Sequence, residues 1–487
     1  MFFKGLWGYL PANILQGIIG FATLMVFTRV LTPEAYGQYA LAFGLSSLVY
    51  TLVFTWLEAA MARFYIAESR DETEAPALYG TVYRTFAIVA VVFAIVATLV
   101  LVVWPNAGSL KTAMALALMT LIPRTLIRLV QEQRRAEGRV GTASIVDMIQ
   151  TLGGFGLGGA CALIGLGGAS PIVGTGLIAA ITLPFVVRED WGRAVRGRFD
   201  ANRAKSYARY GFPLAASLVL TLALYTADRF LIAAFLNEAQ AGAYHAGYSL
   251  ASRILDVLFI WFGAAGTPAM VQALETGGEG ALKTAARQQL TTMAFVLFPA
   301  VGGLVMVAPA LGGIVIGESL RDQALSVTPL ISLGALFSGL NTYYFLQAFT
   351  LAKKTRLLVV AMAVPAVANI ALNLALIPLF GLTGAAWATA LSFATGLLAS
   401  WLLGLNTLRL PVPGTDLFLT AASAIFMMAA ISLLPSYGGI AELVIKAVTG
   451  ATVYAALAWM LNLNGIRAAA GPRIERLYHR LKAKVFA

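Results

Sequence analysis

The chain has one cysteine and two histidines in 487 residues, and only 11% of its side chains are charged. Each scarcity excludes a class of chemistry. Cys161 alone can form no intramolecular disulfide and no thiolate cluster. In its run of Gly, Ala and Leu it reads as a small packing residue. His245 and His479 are too few for a histidine catalytic or metal centre. His245, between alanines and beside Tyr244, reads as interfacial packing. The chain also lacks a phosphate-cradling Gly-x-x-x-x-Gly-Lys motif, so it hydrolyses no ATP of its own. "GGFGLGGA" at 153–160 lies inside an apolar run with no strand before it and reads as close helix packing. Nothing calls for a cofactor.

What is abundant is hydrocarbon. At 59% hydrophobic residues and a mean hydropathy of +0.81, the polar side chains are too few to wrap a soluble core of this size. Apolar runs long enough to cross a bilayer recur from end to end. They fall at about 7–30, 36–57, 83–103, 112–130, 142–164, 171–187, 211–235, 243–265, 291–316, 327–350, 357–378, 384–405, 416–434 and 441–462. The expected fold is an all-α polytopic membrane protein of about 14 transmembrane helices. The run after Lys4 continues through Val30 without a small-residue cleavage site, so it reads as the first span rather than a signal peptide. Trp7, Trp104, Trp261 and Trp401 read as belt or packing residues, and Pro299, Pro309 and Pro365 as kinks able to hinge a gate.

Charge tests the count independently. With alternate joints assigned to the cytoplasm from the N-terminus onward, 27 of the 34 Lys and Arg fall on that side. Arg29, Lys111, Arg229 and Arg321 fall on the other, and Arg124, Arg253 and Lys446 fall within spans. This is the positive-inside bias, and it places both termini in the cytoplasm. The net charge of +12 is then an orientation signal, with membrane lipids as the default partner of the 188–209 loop and the tail. Nucleic acid is not a partner, because no exposed domain interleaves aromatics with the basic residues.

The chain repeats itself. "TRVLTPEAYGQYAL" at 28–41 and "ADRFLIAAFLNEAQAGAYHAGYSLA" at 227–251 both carry an arginine, a helix start and a Gly-x-Tyr in that order. Thr32-Pro33-Glu34 supplies a capping hydroxyl, a first-turn proline and a carboxylate at the positive end of the helix dipole. Asn237-Glu238 offers the same chemistry. An offset of 205 pairs Gly37 with Gly242 and Tyr39 with Tyr244. Further along, an offset of 216 pairs Gln131 with Gln347 and "GLGGA" at 165–169 with "GLTGA" at 381–385. Helices one to six therefore map onto seven to twelve. Six is even, so the repeats share one orientation and are related by an axis along the membrane normal, the geometry of alternating access.

These stretches, with "LEAAMARFY" at 57–65, "DRFLI" at 228–232, "GAYHAGYSLASRI" at 242–254 and "LIPLFGLTGAAWATALS" at 376–392, resemble the Wzx-type oligosaccharide flippases of the multidrug/oligosaccharidyl-lipid/polysaccharide (MOP) exporter superfamily. The resemblance covers essentially the whole chain. It implies a six-helix lobe at 1–187, a basic linker at 188–210, a second six-helix lobe at 211–405, two appended helices at 406–464 and a basic tail at 465–487. It also implies movement of an undecaprenyl-diphosphate-linked oligosaccharide, such as an O-antigen or exopolysaccharide repeat unit, across the bacterial inner membrane. Helices one, two, seven and eight would wall the cleft, and Arg63 matches the family's arginine in helix two. A polysaccharide polymerase and chain-length proteins are the protein partners such a setting suggests.

The cargo's chemistry selects candidates. A diphosphate calls for arginine, whose fork binds phosphate bidentately and stays charged. A glycan calls for amides, hydroxyls and aromatic faces. Polar groups at membrane depth are costly and are candidates by default. The substrate-binding candidates are Arg29, Glu58, Arg63, Arg124, Arg229, Arg253, Asp256, Asn341 and Gln347. Each has a plainer reading. Arg29 and Arg229 can snorkel to an interface. Glu58 and Arg63 can be anchors at the cytoplasmic mouth, and Arg124 can reach the headgroups. Arg253 and Asp256, three apart, can neutralise each other. Asp147 is the ion-coupling candidate, the alternative being a hydrogen bond to a neighbouring helix. Asn369 and Asn373, four apart, suit interhelical bonding.

Two rival functions share the fold: a cation-coupled drug or metabolite exporter, which calls for an acidic, aromatic cleft without phosphate-guiding arginines, and a lipid II flippase. A membrane enzyme such as a glycan polymerase expects a large outward loop, and every outward joint here is short.

Overall fold

The computed structural model describes residues 2–69, 75–105 and 108–468, with side chains described outside 2–10 and 355. His479, most of the basic tail and the side chains of Lys4 and Trp7 lie outside the described residues. The described residues are helical throughout their regular structure. In chain order the long elements are α1 (Phe2–Val30), α2 (Pro33–Val53), α3 (Thr55–Glu68), α4 (Ala75–Val103), α5 (Ser109–Met119), α6 (Leu121–Ala136), α7 (Val140–Leu163), α8 (Ser170–Arg196), α9 (Ala201–Phe235), α10 (Glu238–Val315), α11 (Glu318–Leu340), α12 (Gln347–Leu351), α13 (Thr355–Leu405), α14 (Gly414–Ser432) and α15 (Gly439–Met460).

Among the described residues 11 segments are long and apolar enough to cross a membrane, α5 with α6 and α11 with α12 each counting as one. The pair α2 and α3, bent by 45°, adds another. Helix α10 runs 78 residues and breaks at Gly278, where φ is 64°. Helix α13 runs 51 residues and breaks at Gly381, where φ is 57°. Each of these two is long enough for two spans, which among the described residues is consistent with the about 14 expected from the sequence, and the non-helical breaks lie at glycines. Where the sequence suggests a joint from 58, α3 instead continues to Glu68. It does so because Trp56, Leu57, Ala60 and Met61 are buried in a core shared with α4, α6, α8 and α9.

Local chemistry repeats as the sequence suggests. Thr32 Oγ1 accepts a bond from the Ala35 backbone N–H at 3.2 Å, and Asn237 Oδ1 accepts one from Gln240 N–H at 2.9 Å. Both satisfy an orphan donor of a first turn. Gly165 and Gly381, paired at an offset of 216, both adopt positive φ, at 89° and 57°. The loop after α6 closes with Gly138 N–H bonding Arg135 O and Arg139 N–H bonding Arg134 O, both within 3.0 Å. The loop after α12 repeats this with Lys353 to Thr350 and Lys354 to Phe349, within 3.1 Å. Such paired bonds end a helix through one left-handed residue. Gly138 fills that position at φ 77°, whereas the second loop uses Lys353 at φ 56°.

Small residues set the closest helix crossings. A Cβ on Gly158 of α7 would lie 3.1 Å from Pro171 Cα of α8, and one on Gly154 would lie 2.8 Å from a Thr175 methyl. The glycine run is thus the packing surface expected of it, and Cys161 is buried nearby on α7.

Contacts divide the chain into two compact units. One takes Met1–Ala246 with Val315–Ala324 and Asn373–Leu382. Its main core joins aromatic and aliphatic side chains of α3, α4, α6, α8 and α9. The other takes Gly247–Ile314, Leu325–Leu372 and Thr383–Ala487. There α14 and α15 pack through Met427, Ile431 and Tyr454 onto Phe295, Phe298 and Met306 of α10, and Tyr454 OH donates to Phe295 O at 2.8 Å.

Candidate functional site

The first unit holds a cavity of about 230 Å³ between α2 and α6. Arg124 and Arg128 stand one turn apart on α6, so both guanidinium groups reach one face. Opposite them α2 contributes Phe43, Ser46, Ser47, Tyr50 and Thr51. Leu121 lines the cavity beside them, and α6 can carry two cations here because its other sides bury Ile127, Leu129 and Val130.

Tyr50 links the cavity to a buried carboxylate. Its hydroxyl donates to Glu58 Oε2 at 2.5 Å and accepts from Arg128 Nη1 at 3.4 Å, while the Arg128 guanidinium lies 5.1 Å from the ring centroid. Glu58 is 9% exposed, and its second oxygen receives no hydrogen bond. The guanidinium of Arg124, half-buried, forms no ion pair or hydrogen bond with any described residue. Two guanidinium groups a turn apart repel each other in a low-dielectric setting. An anion between them, with Ser46, Ser47 and Thr51 hydroxyls within the same walls, would reverse that term.

Asp147 of α7 does not face open space. Its carboxylate accepts from Gln131 Nε2 and from Arg135 Nη2, each at 2.9 Å, and Arg135 also pairs with Glu132. Both partners lie on α6, so Asp147 is bonded to a neighbouring helix. Beyond α6, Glu137 accepts from Tyr65 OH at 2.6 Å and from Gln133 Nε2 at 3.0 Å, and Gln133 also donates to Asp190 at 2.9 Å. Glu68 of α3 accepts from Arg203 and Tyr207 of α9 at 2.7 and 2.6 Å. These polar contacts tie the ends of α3, α6, α8 and α9 together.

The other candidates are placed as follows. Arg29 Nη1 donates to Met25 O at 2.8 Å, and Arg229 Nη1 donates to Tyr225 O at 2.7 Å. The two repeat-related arginines thus share one contact, to the carbonyl four residues back. Arg63 is exposed on α3. In the second unit Arg253 is half-buried with its Nε unpartnered, and the exposed Asp256 makes no direct ion pair with it. Asn341 is buried with Oδ1 unpartnered, at the start of a π-helical turn, Asn341–Phe345. Gln347 donates to Thr342 O across that turn at 3.0 Å. Such turns are frequent at functional positions. Phe259 and Tyr343 stack beside this region at 5.8 Å. Asn369 bonds Ser392 at 3.4 Å, between two segments of α13.

Sequence reasoning missed Tyr50 and Arg128. The signal is the four-residue spacing of Arg124 and Arg128, obscured because Arg128 stands at the end of the fourth apolar run, where charge reads as the start of a joint. It also missed Asp228, which is 1% exposed and accepts from Tyr244 OH at 2.8 Å and Asn373 Nδ2 at 2.7 Å. Among the described residues no group of three or more His, Cys, Asp or Glu is placed to hold a metal ion.

Known proteins supply the last observations. A family model described as polysaccharide biosynthesis protein matches residues 26–325. The fold is similar to that of the lipid II flippase MurJ in an inward closed conformation, with a TM-score of 0.76 at 14% identity, covering 94% of this chain and 99% of that one. It is also similar to a multidrug resistance MATE family transporter of the MOP superfamily in an inward-facing conformation, with a TM-score of 0.61 at 16% identity over 80% of this chain and 94% of that one. A comparison with curated proteins finds no match. At these identities the structural likeness concerns the fold.

Proposed function

Because this chain belongs to the polysaccharide biosynthesis protein family, within a superfamily of multi-pass transporters and flippases rather than enzymes, we propose that it flips an undecaprenyl-diphosphate-linked oligosaccharide across the cytoplasmic membrane by alternating access. The observation that carries the reading is the cavity in which Arg124 and Arg128 face a row of hydroxyls, Arg124 having no carboxylate partner. Guanidinium forks bind phosphate oxygens bidentately, and the low dielectric around them strengthens each bond. A cation exporter has no use for a guanidinium group without a carboxylate partner in its cavity, as Arg124 is here, which weighs against the drug-exporter alternative.

In this reading Arg29, Arg63 and Arg229 of the first unit and Arg253 of the second are further cations available to the diphosphate. Glu58, Asp256, Asn341 and Gln347 supply acceptors and amides suited to a glycan. Asp147 anchors α7 to α6, and a coupling-ion role there requires that its pair with Arg135 open. In this reading the protein sits in the inner membrane with both termini in the cytoplasm and moves its cargo without catalysis. A polymerase and chain-length proteins would act on the delivered unit. The lipid II flippase reading shares the diphosphate and the polyprenyl tail, and the 0.76 TM-score to such a flippase favours keeping it in the test.

The test is outward movement of fluorescent undecaprenyl-diphosphate oligosaccharide in proteoliposomes, beside lipid II and a small organic cation under an ion gradient. Flipping of the oligosaccharide that falls at least tenfold in Arg124→Ala and in Arg253→Ala, at equal reconstituted amount, is the expected result; a tenfold loss corresponds to about 1.4 kcal/mol. Movement of lipid II alone selects the second reading. Cation transport without movement of either lipid overturns both.

A further inference from the structure

A second cavity, of about 470 Å³, lies in the first unit between α4, α6 and α8, outside the arginine cavity. Its walls are hydrocarbon. Ala87, Ala90 and Ala94 recur along one face of α4 and make a trough, with Ile122 and Leu126 of α6 along one side and Ala194 of α8 along the other. The surrounding face of α4 carries Ile88, Val91 and Ile95, each more than half exposed, as lipid-facing residues do.

One end is charged. Arg84 and Trp191 close the trough there. Arg84 Nη2 reaches the Val195 carbonyl at 3.4 Å, a long bond that leaves most of the five guanidinium donors available. Arg188 is exposed and three residues before Trp191, on the same face of α8. Trp191, 61% exposed beside these cations, has the placement of an aromatic at a headgroup boundary. The backbone holds this end in shape: the Asp200 N–H donates to Thr81 Oγ1 at 3.0 Å, and a Cβ on Gly80 would lie within 2.6 Å of Arg198 N.

We infer that this trough is a binding site for one anionic phospholipid, with an acyl chain along the alanine stripe of α4 and the phosphate on Arg84. A groove of this composition within membrane-spanning helices takes a hydrocarbon chain. Arginine at its end selects phosphate, and the accumulated positive charge selects a net negative headgroup over a zwitterionic one. The trough offers no amide or row of hydroxyls for a glycan: the nearest hydroxyl, Tyr83, is buried and directed to Gln133 at 3.5 Å. The occupant is therefore a resident lipid, and the inference stands apart from the flipping reaction.

The experiment is native mass spectrometry of the full chain released from detergent, titrated with phosphatidylglycerol, phosphatidylcholine or undecaprenyl phosphate. The variants are Arg84→Ala at the charged end and Ala87→Trp, which fills the trough from an exposed position. The expected result is retention of one phosphatidylglycerol with about tenfold preference over phosphatidylcholine, lost in Arg84→Ala, and loss of retention altogether in Ala87→Trp. Equal melting temperatures of the three proteins without added lipid establish that both variants fold. Equal retention by all three proteins would overturn the site. Displacement of phosphatidylglycerol by lower concentrations of undecaprenyl phosphate, dependent on Arg84, would overturn the phospholipid assignment.

Discussion

Carboxylates in this protein differ in how their oxygens are satisfied, and the difference sets what each can do. Glu58 has one oxygen on Tyr50 and one without a donor, inside the wall of the arginine cavity. Glu137, at the end of α6, is partly buried, which alone would raise its pKa. Donation from Gln133 and Tyr65 and the nearby Arg139 outweigh that, so the carboxyl is held below the usual carboxylate range. A group with a depressed folded-state pKa adds stability above its unfolded pKa, about 4.3 for Glu, and that stability is lost as pH falls through the folded value. Glu137→Gln should therefore lower the melting temperature at pH 7, by a destabilisation on the order of 1 kcal/mol for the weakened bonds. The gap to the unaltered protein should close as pH is lowered below the carboxylate range. A gap independent of pH would mean that the ionised form contributes nothing to the α3–α6 contact.

At the scale of the element, glycines control how closely the helices approach. Gly37 of α2 and Gly242 of α10, paired by the internal repeat, meet directly: a Cβ on Gly242 would lie 2.8 Å from Gly37 N and 3.0 Å from Pro33 O. Equivalent residues of two copies touch where a symmetry axis passes between them, so this contact is the geometric signature of the repeat. Gly242→Val places branched carbon against backbone that no rotamer change can move. The expected cost is about 1–3 kcal/mol, read as a lower melting temperature in detergent. Gly159→Val, on a glycine whose Cβ meets nothing within 4 Å, should cost less. The caps, the repeat offsets and the glycine packing face were legible in the sequence because each is a local signal carried by a few adjacent residues. The extension of α3 and the length of α6 were not. Their last turns carry charge, as in "RLVQEQRRA", and only the partners Asp147, Glu137 and Asp190 on α7, on the following loop and on α8 make those turns helical and half-buried. For the same reason Arg124 could be named from depth alone, whereas Tyr50 and Arg128 needed α2 and α6 side by side.

For the molecule as a whole, orientation follows from where the cations lie. Moving one Arg to the bilayer centre costs about 2.5–3.5 kcal/mol on insertion scales, so the proposed orientation, which assigns 27 of 34 basic residues to one side, would be held far more firmly than by any one loop. Single cysteines test this directly. Cys161 is buried and is the chain's one cysteine, so Cys161→Ser provides a silent background. Ile164→Cys sits at the last residue of a span, 75% exposed and beside a joint read as outward, and Lys205→Cys on the basic joint read as cytoplasmic, also exposed. A membrane-impermeant maleimide applied to intact spheroplasts should label Ile164→Cys at once and Lys205→Cys only after permeabilisation. The reverse pattern would invert the protein in the membrane and put the charged end of the α4 trough on the outer face, away from the anionic cytoplasmic leaflet. Labelling of both from outside would mean that an odd number of crossings does not separate them. Residues 164 and 205 are joined by the single span of α8, so the fault would then lie in that helix, where Pro184 interrupts the run.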